Sequence, residues 1–249
     1  MVMGLHMRDV FSALAVMSAA AGLVACTVAT PDGVPAVAPA DLERDISARL
    51  AEVGQQPESV TCKDPLAGEV GQVARCDVVL SATNSFEPIV TVTAVDGSAI
   101  SYEMLPALSE LQLERGVARL VDSSSASTST VDCFSGLVGE PGAVAVCDVT
   151  TAGATLARTA EVTSVDGLLM NFDLLPLLTK AELEDSLLDE LAIHLGTRPE
   201  SAQCAGNLEG RPGNTVDCIV VAGADSAEFT LTVTTVDGDR IDYSYGPKA

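Results

Sequence analysis

The sequence predicts an α+β protein of three tandem domains, each an N-terminal helix packed on a roughly four-stranded antiparallel sheet with one disulfide. Three observations predict it. Cys62 and Cys76, Cys133 and Cys147, and Cys204 and Cys218 are each 14 residues apart, and the first members recur every 71 residues. Each copy opens with apolar residues at helical spacing and then alternates at period two. Val-Asp-Gly recurs at 95–97, 165–167 and 236–238.

The chain is read as a signal peptide over 1–25, a lipidated cysteine with a Pro/Ala-rich tether over 26–40, and repeat domains over 41–106, 107–177 and 178–249. Arg8 precedes an apolar run from Val10 to Ala25, as in an export signal, with Met3 and Met7 as alternative starts. The run is shorter than the roughly 20 residues that span a bilayer as a helix. Leu23-Val24-Ala25-Cys26 resembles the lipobox of bacterial lipoproteins, which implies a diacylglycerol on Cys26 and attachment to the outer face of the cell membrane. The alternative is an ordinary cut near Ala19–Ala21 with a free Cys26. Residues 27–40 are rich in Pro and Ala and read as a semi-extended spacer.

In copy one, Leu42, Ile46, Leu50 and Val53 share a helical face. Leu113, Val117, Leu120 and Val121 do so in copy two, with Ser109 and Gln112 at capping positions. In copy three the face is Leu183, Leu187, Leu191 and Leu195, behind a capping box of Thr179 and Glu182. Strands follow: Ala74, Cys76, Val78 and Leu80, then Val90 and Val92, then Ile100, Tyr102 and Met104 alternate in copy one. Phe229, Leu231 and Val233, then Ile241, Tyr243 and Tyr245, repeat the pattern in copy three. Asp96-Gly97, Asp166-Gly167 and Asp237-Gly238 between the last two strands predict type I′ hairpin turns. Leu105-Pro106 and Leu175-Pro176 lead straight into the next helix, so neighbouring domains are expected to be close and partly ordered. The Ser/Thr-rich stretch 123–130 of copy two reads as a polar loop, with glycosylation or ligand binding as the alternative.

A domain of this size has a thin core and benefits from a covalent staple. Export would place the chain where disulfides persist. Six cysteines allow 15 connectivities, and repeat symmetry favours pairing within each copy. Zinc is the competing use, but Cys-x13-Cys without a second pair or a local histidine fits it poorly. The seventh cysteine is Cys26.

Taken together, a lipobox, a Pro/Ala spacer, a helix, Pro-x-Ser-x-x-Cys, 13 residues, Cys, a strand, Val-Asp-Gly and a last strand resemble a small two-cysteine domain of unknown function common in actinobacterial envelope lipoproteins. The resemblance covers residues 41–246 in three copies, and copy two lacks the Pro-x-Ser step. It implies a disulfide-stapled extracytoplasmic domain and brings no catalytic residues.

Net charge is −22, spread evenly over the copies, which disfavours nucleic acid and anionic surfaces as partners. His6 belongs to the signal segment and His194 stands alone on the third helix, so no Ser-His-Asp or Cys-His arrangement can be assembled. Phosphate-loop, dinucleotide and metalloprotease motifs are absent from the sequence, and no cofactor or metal is expected. The expected function is a non-enzymatic, lipid-anchored binding or spacer module for an envelope protein or glycan. A carrier of a small apolar ligand between helix and sheet is the alternative, and an envelope hydrolase the third reading.

Overall fold

A computed structural model describes residues 27–29, 34–124 and 128–248. The signal segment, Cys26 and residues 125–127 lie outside the described residues. Helix α1 spans Pro39–Glu52, α2 Glu110–Ser124 and α3 Lys180–Leu195. Each is followed by four antiparallel strands in sequential order. These are Ser59–Cys62, Val73–Ser81, Ile89–Asp96 and Ala99–Leu105 in copy one. Copy two has Ser129–Cys133, Val144–Thr151, Ala154–Asp166 and Leu169–Leu178. Copy three has Ser201–Cys204, Thr215–Ala222, Asp225–Asp237 and Arg240–Pro247. The third strand carries a register shift at the same place in every copy, at Val92/Ala94, Val162/Ser164 and Val233/Thr235.

The helices start for different local reasons. At α3, Thr179 accepts from the Glu182 amide while the Glu182 carboxylate accepts from the Thr179 amide. At α2 only the second half is formed, with the Ser109 amide donating to Gln112. At α1 the preceding Ala38 offers no cap, and Pro39 supplies a φ suited to a first helical turn. The buried stripes are Leu42, Ile46 and Leu50, then Leu113 and Val117, then Leu183, Leu187, Leu188 and Leu191. Val53 is half-buried at the C-cap, beyond the last residue of α1, and two other expected members fall outside the stripes. Leu120 is 46% and Leu195 61% exposed, because Val121 rather than Leu120 meets the copy-two core and Leu195 is the last residue of its helix. Facing the helices, Cys76, Val78, Val90, Val92, Cys147, Val149, Leu231 and Val233 fill the inner face of the sheets. Each fully buried Leu or Val contributes roughly 1.5–3 kcal/mol.

The tether ends earlier than expected. Thr27–Ala29 pairs with Pro35–Val37, which pairs in turn with Leu66–Ala67. Ala36 and Val37 are buried, so residues 35–40 belong to domain one. The physical reason repeats in every copy. The amides of Gly68, Gly139 and Gly210 donate to the carbonyls of Pro35, Pro106 and Pro176 at 2.7, 2.7 and 2.8 Å. Short lead-in strands then pair behind each proline, Ala107–Leu108 with Leu137–Val138 and Leu177–Leu178 with Leu208–Glu209. Leu177–Leu178 is the end of the last strand of copy two, so one continuous strand passes from copy two into copy three.

The hairpin turns are displaced by one residue from the expectation. Asp96 pairs with Ala99, Asp166 with Leu169 and Asp237 with Arg240. The central residues are therefore Gly97-Ser98, Gly167-Leu168 and Gly238-Asp239, with the glycines at φ 59, 60 and 59° and no positive φ at the second position. This is the type II′ pattern, in which glycine alone supplies the left-handed φ and the aspartate closes the strand. The type I′ pattern occurs in the other hairpin of copy two, where Ala152 and Gly153 have φ 52 and 85°.

A Cβ at Gly139 would stand 2.6 Å from the Pro106 carbonyl oxygen, whereas one at Gly206 would meet nothing within 4 Å. We expect Gly139→Ala to cost about 1–3 kcal/mol, seen as a lowered thermal midpoint, and Gly206→Ala to change it little.

Candidate functional site

The cysteines face each other across the first two strands of each copy. Cys62–Cys76, Cys133–Cys147 and Cys204–Cys218 are bonded, with Cα–Cα distances of 4.3, 3.9 and 3.9 Å. In copies two and three the flanking ladder bonds, Phe134 amide to Val146 and Ala205 amide to Asp217, leave the cysteine pair between them without mutual backbone bonds. That is where antiparallel strands approach most closely. The first cysteine lies on an edge strand, so its amide needs another acceptor. A helix glutamate supplies it each time: Glu43 to Cys62 at 3.0 Å, Glu114 to Cys133 at 3.2 Å, and Glu184 to Cys204 at 2.8 Å. These glutamates were not singled out in the sequence, although Leu-Glu-Arg at 42–44 and 113–115 carried the signal. All six cysteines are buried, and three disulfides point to an oxidising, extracytoplasmic environment.

A second helix-to-sheet contact differs among the copies. Tyr102 donates to Asp45 at 3.0 Å in copy one, and the Tyr243 and Ser186 hydroxyls lie 2.7 Å apart in copy three. Burial pushes both tyrosine hydroxyls above their ordinary pKa, with the Asp45 carboxylate adding to the effect at Tyr102. Copy two has Phe172 and Gly116 at the corresponding positions. A Cβ at Gly116 would lie 3.4 Å from the Phe172 ring.

The hairpin tips of copies two and three reach back toward the preceding copy. Leu168 at the tip of copy two is 2% exposed and joins the core of copy one, beside Phe86. Asp239, at the same place in copy three, forms an ion pair with Arg158 of copy two, and Arg211 of copy three pairs with Glu161. Ser98, the corresponding tip of copy one, is exposed. The junction of copies one and two also depends on Pro88, which cannot donate to the ladder. In the other copies the third strand is continuous, but here a short segment, Asn84–Phe86, is separated from Ile89–Asp96. The Glu87 amide turns to the Ala107 carbonyl at 2.7 Å, and Gln112 of α2 donates to the Ser85 hydroxyl at 3.4 Å.

A cavity of about 120 Å³ lies at this junction. Its apolar side is Leu80, Phe86, Leu168, Met170 and Phe172, and its polar side includes Ser85, Gln112 and Arg119. A smaller neighbouring cavity shares Ser85, Gln112 and Arg119 and adds Thr83 and Arg115. Elsewhere, His194 Nδ1 sits 3.0 Å from the Glu190 carbonyl and 3.4 Å from the Tyr245 hydroxyl, as a packing residue at a helix end. Of the hairpin acids, Asp239 is drawn into its ion pair with Arg158. Among the described residues no group of three or more His, Cys, Asp or Glu could hold a metal ion. No helix among them is long and apolar enough to cross a membrane.

Fold and bonding define a tandem array of three small α+β domains, each closed by a cross-strand disulfide. A family described as a domain of unknown function, DUF4333, matches residues 21–97, 102–167 and 171–238, and the chain belongs to that family. No curated protein and no solved structure matches the chain.

Removing the helix acceptor tests its weight. Glu43→Gln retains an oxygen for the Cys62 amide and should unfold near the parent temperature. Glu43→Met leaves that amide unpaired and should cost about 1–3 kcal/mol, with faster hydrogen exchange at Cys62.

Proposed function

We propose that the protein is a non-enzymatic, lipid-anchored module outside the cytoplasm. It holds its domains as one jointed but ordered rod and offers them to an envelope protein or glycan. The observation that carries this reading is the docking of consecutive copies, with Leu168 of copy two seated in the core of copy one. A flexible string of domains has no use for such a contact, whereas a spacer that fixes the distance of its far end does. The strand that runs unbroken through Leu177–Leu178 into copy three supports the same view. Attachment through a diacylglycerol on Cys26 is supported by Leu23-Val24-Ala25-Cys26 and the spacer that follows. An alternative role as carrier of an apolar ligand between helix and sheet meets a layer filled by residues such as Leu42, Ile46, Leu187 and Leu231 at 0% exposure.

Cys26→Ala should release the protein from membranes or leave an unprocessed precursor, followed by fractionation and intact-mass measurement. Unchanged membrane retention together with normal processing would refute the anchor. For the spacer, Leu168→Asp should leave each disulfide formed but loosen copy one from copy two. Small-angle scattering should then give a larger and broader distribution of interatomic distances. An unchanged distribution would refute the ordered junction.

A further inference from the structure

The charge pattern of this acidic chain is uneven in one place. Arg44, Arg49, Lys63 and Arg75 of copy one each have a carboxylate partner. So do Arg158 of copy two and Lys180, Arg198, Arg211, Arg240 and Lys248 of copy three. Among the described residues, Arg115 and Arg119 have none. They stand one turn apart on α2; Arg119 lines both cavities at the junction of copies one and two, and Arg115 lines the smaller one. Two nearby helix acids are already engaged by backbone amides, Glu114 by Cys133 and Asp122 by Ser129. Arg119 spends its Nε on the Arg115 carbonyl at 3.2 Å, which leaves its terminal nitrogens free. Unneutralised arginines where carboxylates outnumber bases by 35 to 13 point to a site for an anion from outside the chain.

The same cavity has an apolar floor. Leu80, Phe86, Leu168, Met170 and Phe172 line it, and the Phe172 ring packs against Gly116. Copies one and three fill the corresponding helix position with Asp45 and Ser186, each hydrogen-bonded to a tyrosine. Copy two has given up that bond, and Gly116 and Phe172 line the cavity beside Arg119. We infer that the junction binds a small amphiphilic anion. Its carboxylate or phosphate head sits at Arg115 and Arg119, with Ser85 and Gln112 as further hydrogen-bonding groups, and its short apolar tail lies against Phe86, Leu168 and Phe172. A cavity of roughly 150 Å³ takes a benzene-sized group, so the 120 Å³ here limits the tail to at most about six carbons. The inference does not rest on the membrane anchor.

The test uses the full mature chain, with hexanoate and hexyl phosphate as probes and amide chemical shifts as the readout. Both should bind, shifting the amides of Ser85, Gln112, Leu168 and Phe172, and hexanol should bind at least fivefold more weakly. Arg115→Gln/Arg119→Gln, a change of two exposed side chains, should weaken hexanoate at least tenfold while the circular dichroism spectrum is kept. Lengthening the carboxylate should raise affinity up to about six carbons and not beyond. Absence of binding, or hexanoate binding unaffected by the double substitution, would overturn the proposal. Inorganic phosphate binding as tightly as hexyl phosphate would overturn the apolar half. Affinity that keeps rising to twelve carbons would reassign the site to a membrane-derived acyl chain and overturn the small ligand.

Discussion

The hydrogen bond that the amide of the first cysteine donates to a helix glutamate holds each domain in its form. That cysteine sits on an edge strand of four or five residues, too short to be secured by its ladder alone. The disulfide ties the strand sideways to its neighbour, and the glutamate ties it upward to the helix. With both in place the helix is fixed over the inner face of the sheet, and leucines such as Leu42, Leu113 and Leu183 are driven to complete burial. Closing a loop of about 15 residues contributes roughly 3 kcal/mol in the chain-entropy view. For a core built from one helix stripe and one sheet face, that is a large part of total stability.

Copies so built are joined by one device with two chemistries. The tip residue after the hairpin glycine reaches the preceding domain in both junctions. Leu168 enters an apolar core, so that contact is expected to be insensitive to salt. Asp239, itself 52% exposed, meets Arg158, whose side chain is 15% exposed, so that contact is a partly buried ion pair that salt weakens. The identity of a single turn residue therefore sets the character of each junction, and the equivalent Ser98 is suited to neither role.

The period of 71 made the copies, their helices, their strands and their disulfide partners legible, because those features are local and repeated. It also contained what was missed. Pro35 occupies the same repeat position as Pro106, yet the Pro and Ala around it read as a spacer until the Gly68 amide is seen on its carbonyl. The turn type was misplaced by one residue because Asp-Gly specifies a tight reversal but not where the ladder ends. Leu120 and Leu195 belonged to regular apolar stripes whose ends pass beyond the sheet, which periodicity within a helix does not register. The junctions were least legible. Leu168 is an unremarkable apolar residue beside a turn glycine, and its burial depends on a domain more than 60 residues away in sequence.

Where repeats share a scaffold, the informative positions are those at which one copy departs from the others in more than one residue at once. Copy two changes both ends of the helix-to-sheet hydrogen bond together, Gly116 in place of Asp45 or Ser186 and Phe172 in place of Tyr102 or Tyr243. Losing only the tyrosine hydroxyl would leave the helix partner unpaired, and losing only the helix partner would strand the hydroxyl; losing both is nearly neutral for stability. Such a paired change releases the position from structural duty. It lies under Arg115 and Arg119, beside the segment that Pro88 bends toward copy two and beneath the buried tip at Leu168. The total of −22 is uninformative as a sum, since most bases are consumed by nearby acids. What remains after that pairing is two arginines without a carboxylate partner at a junction that also has room beneath it, so the departure of copy two from its neighbours and the unpaired arginines select the same site.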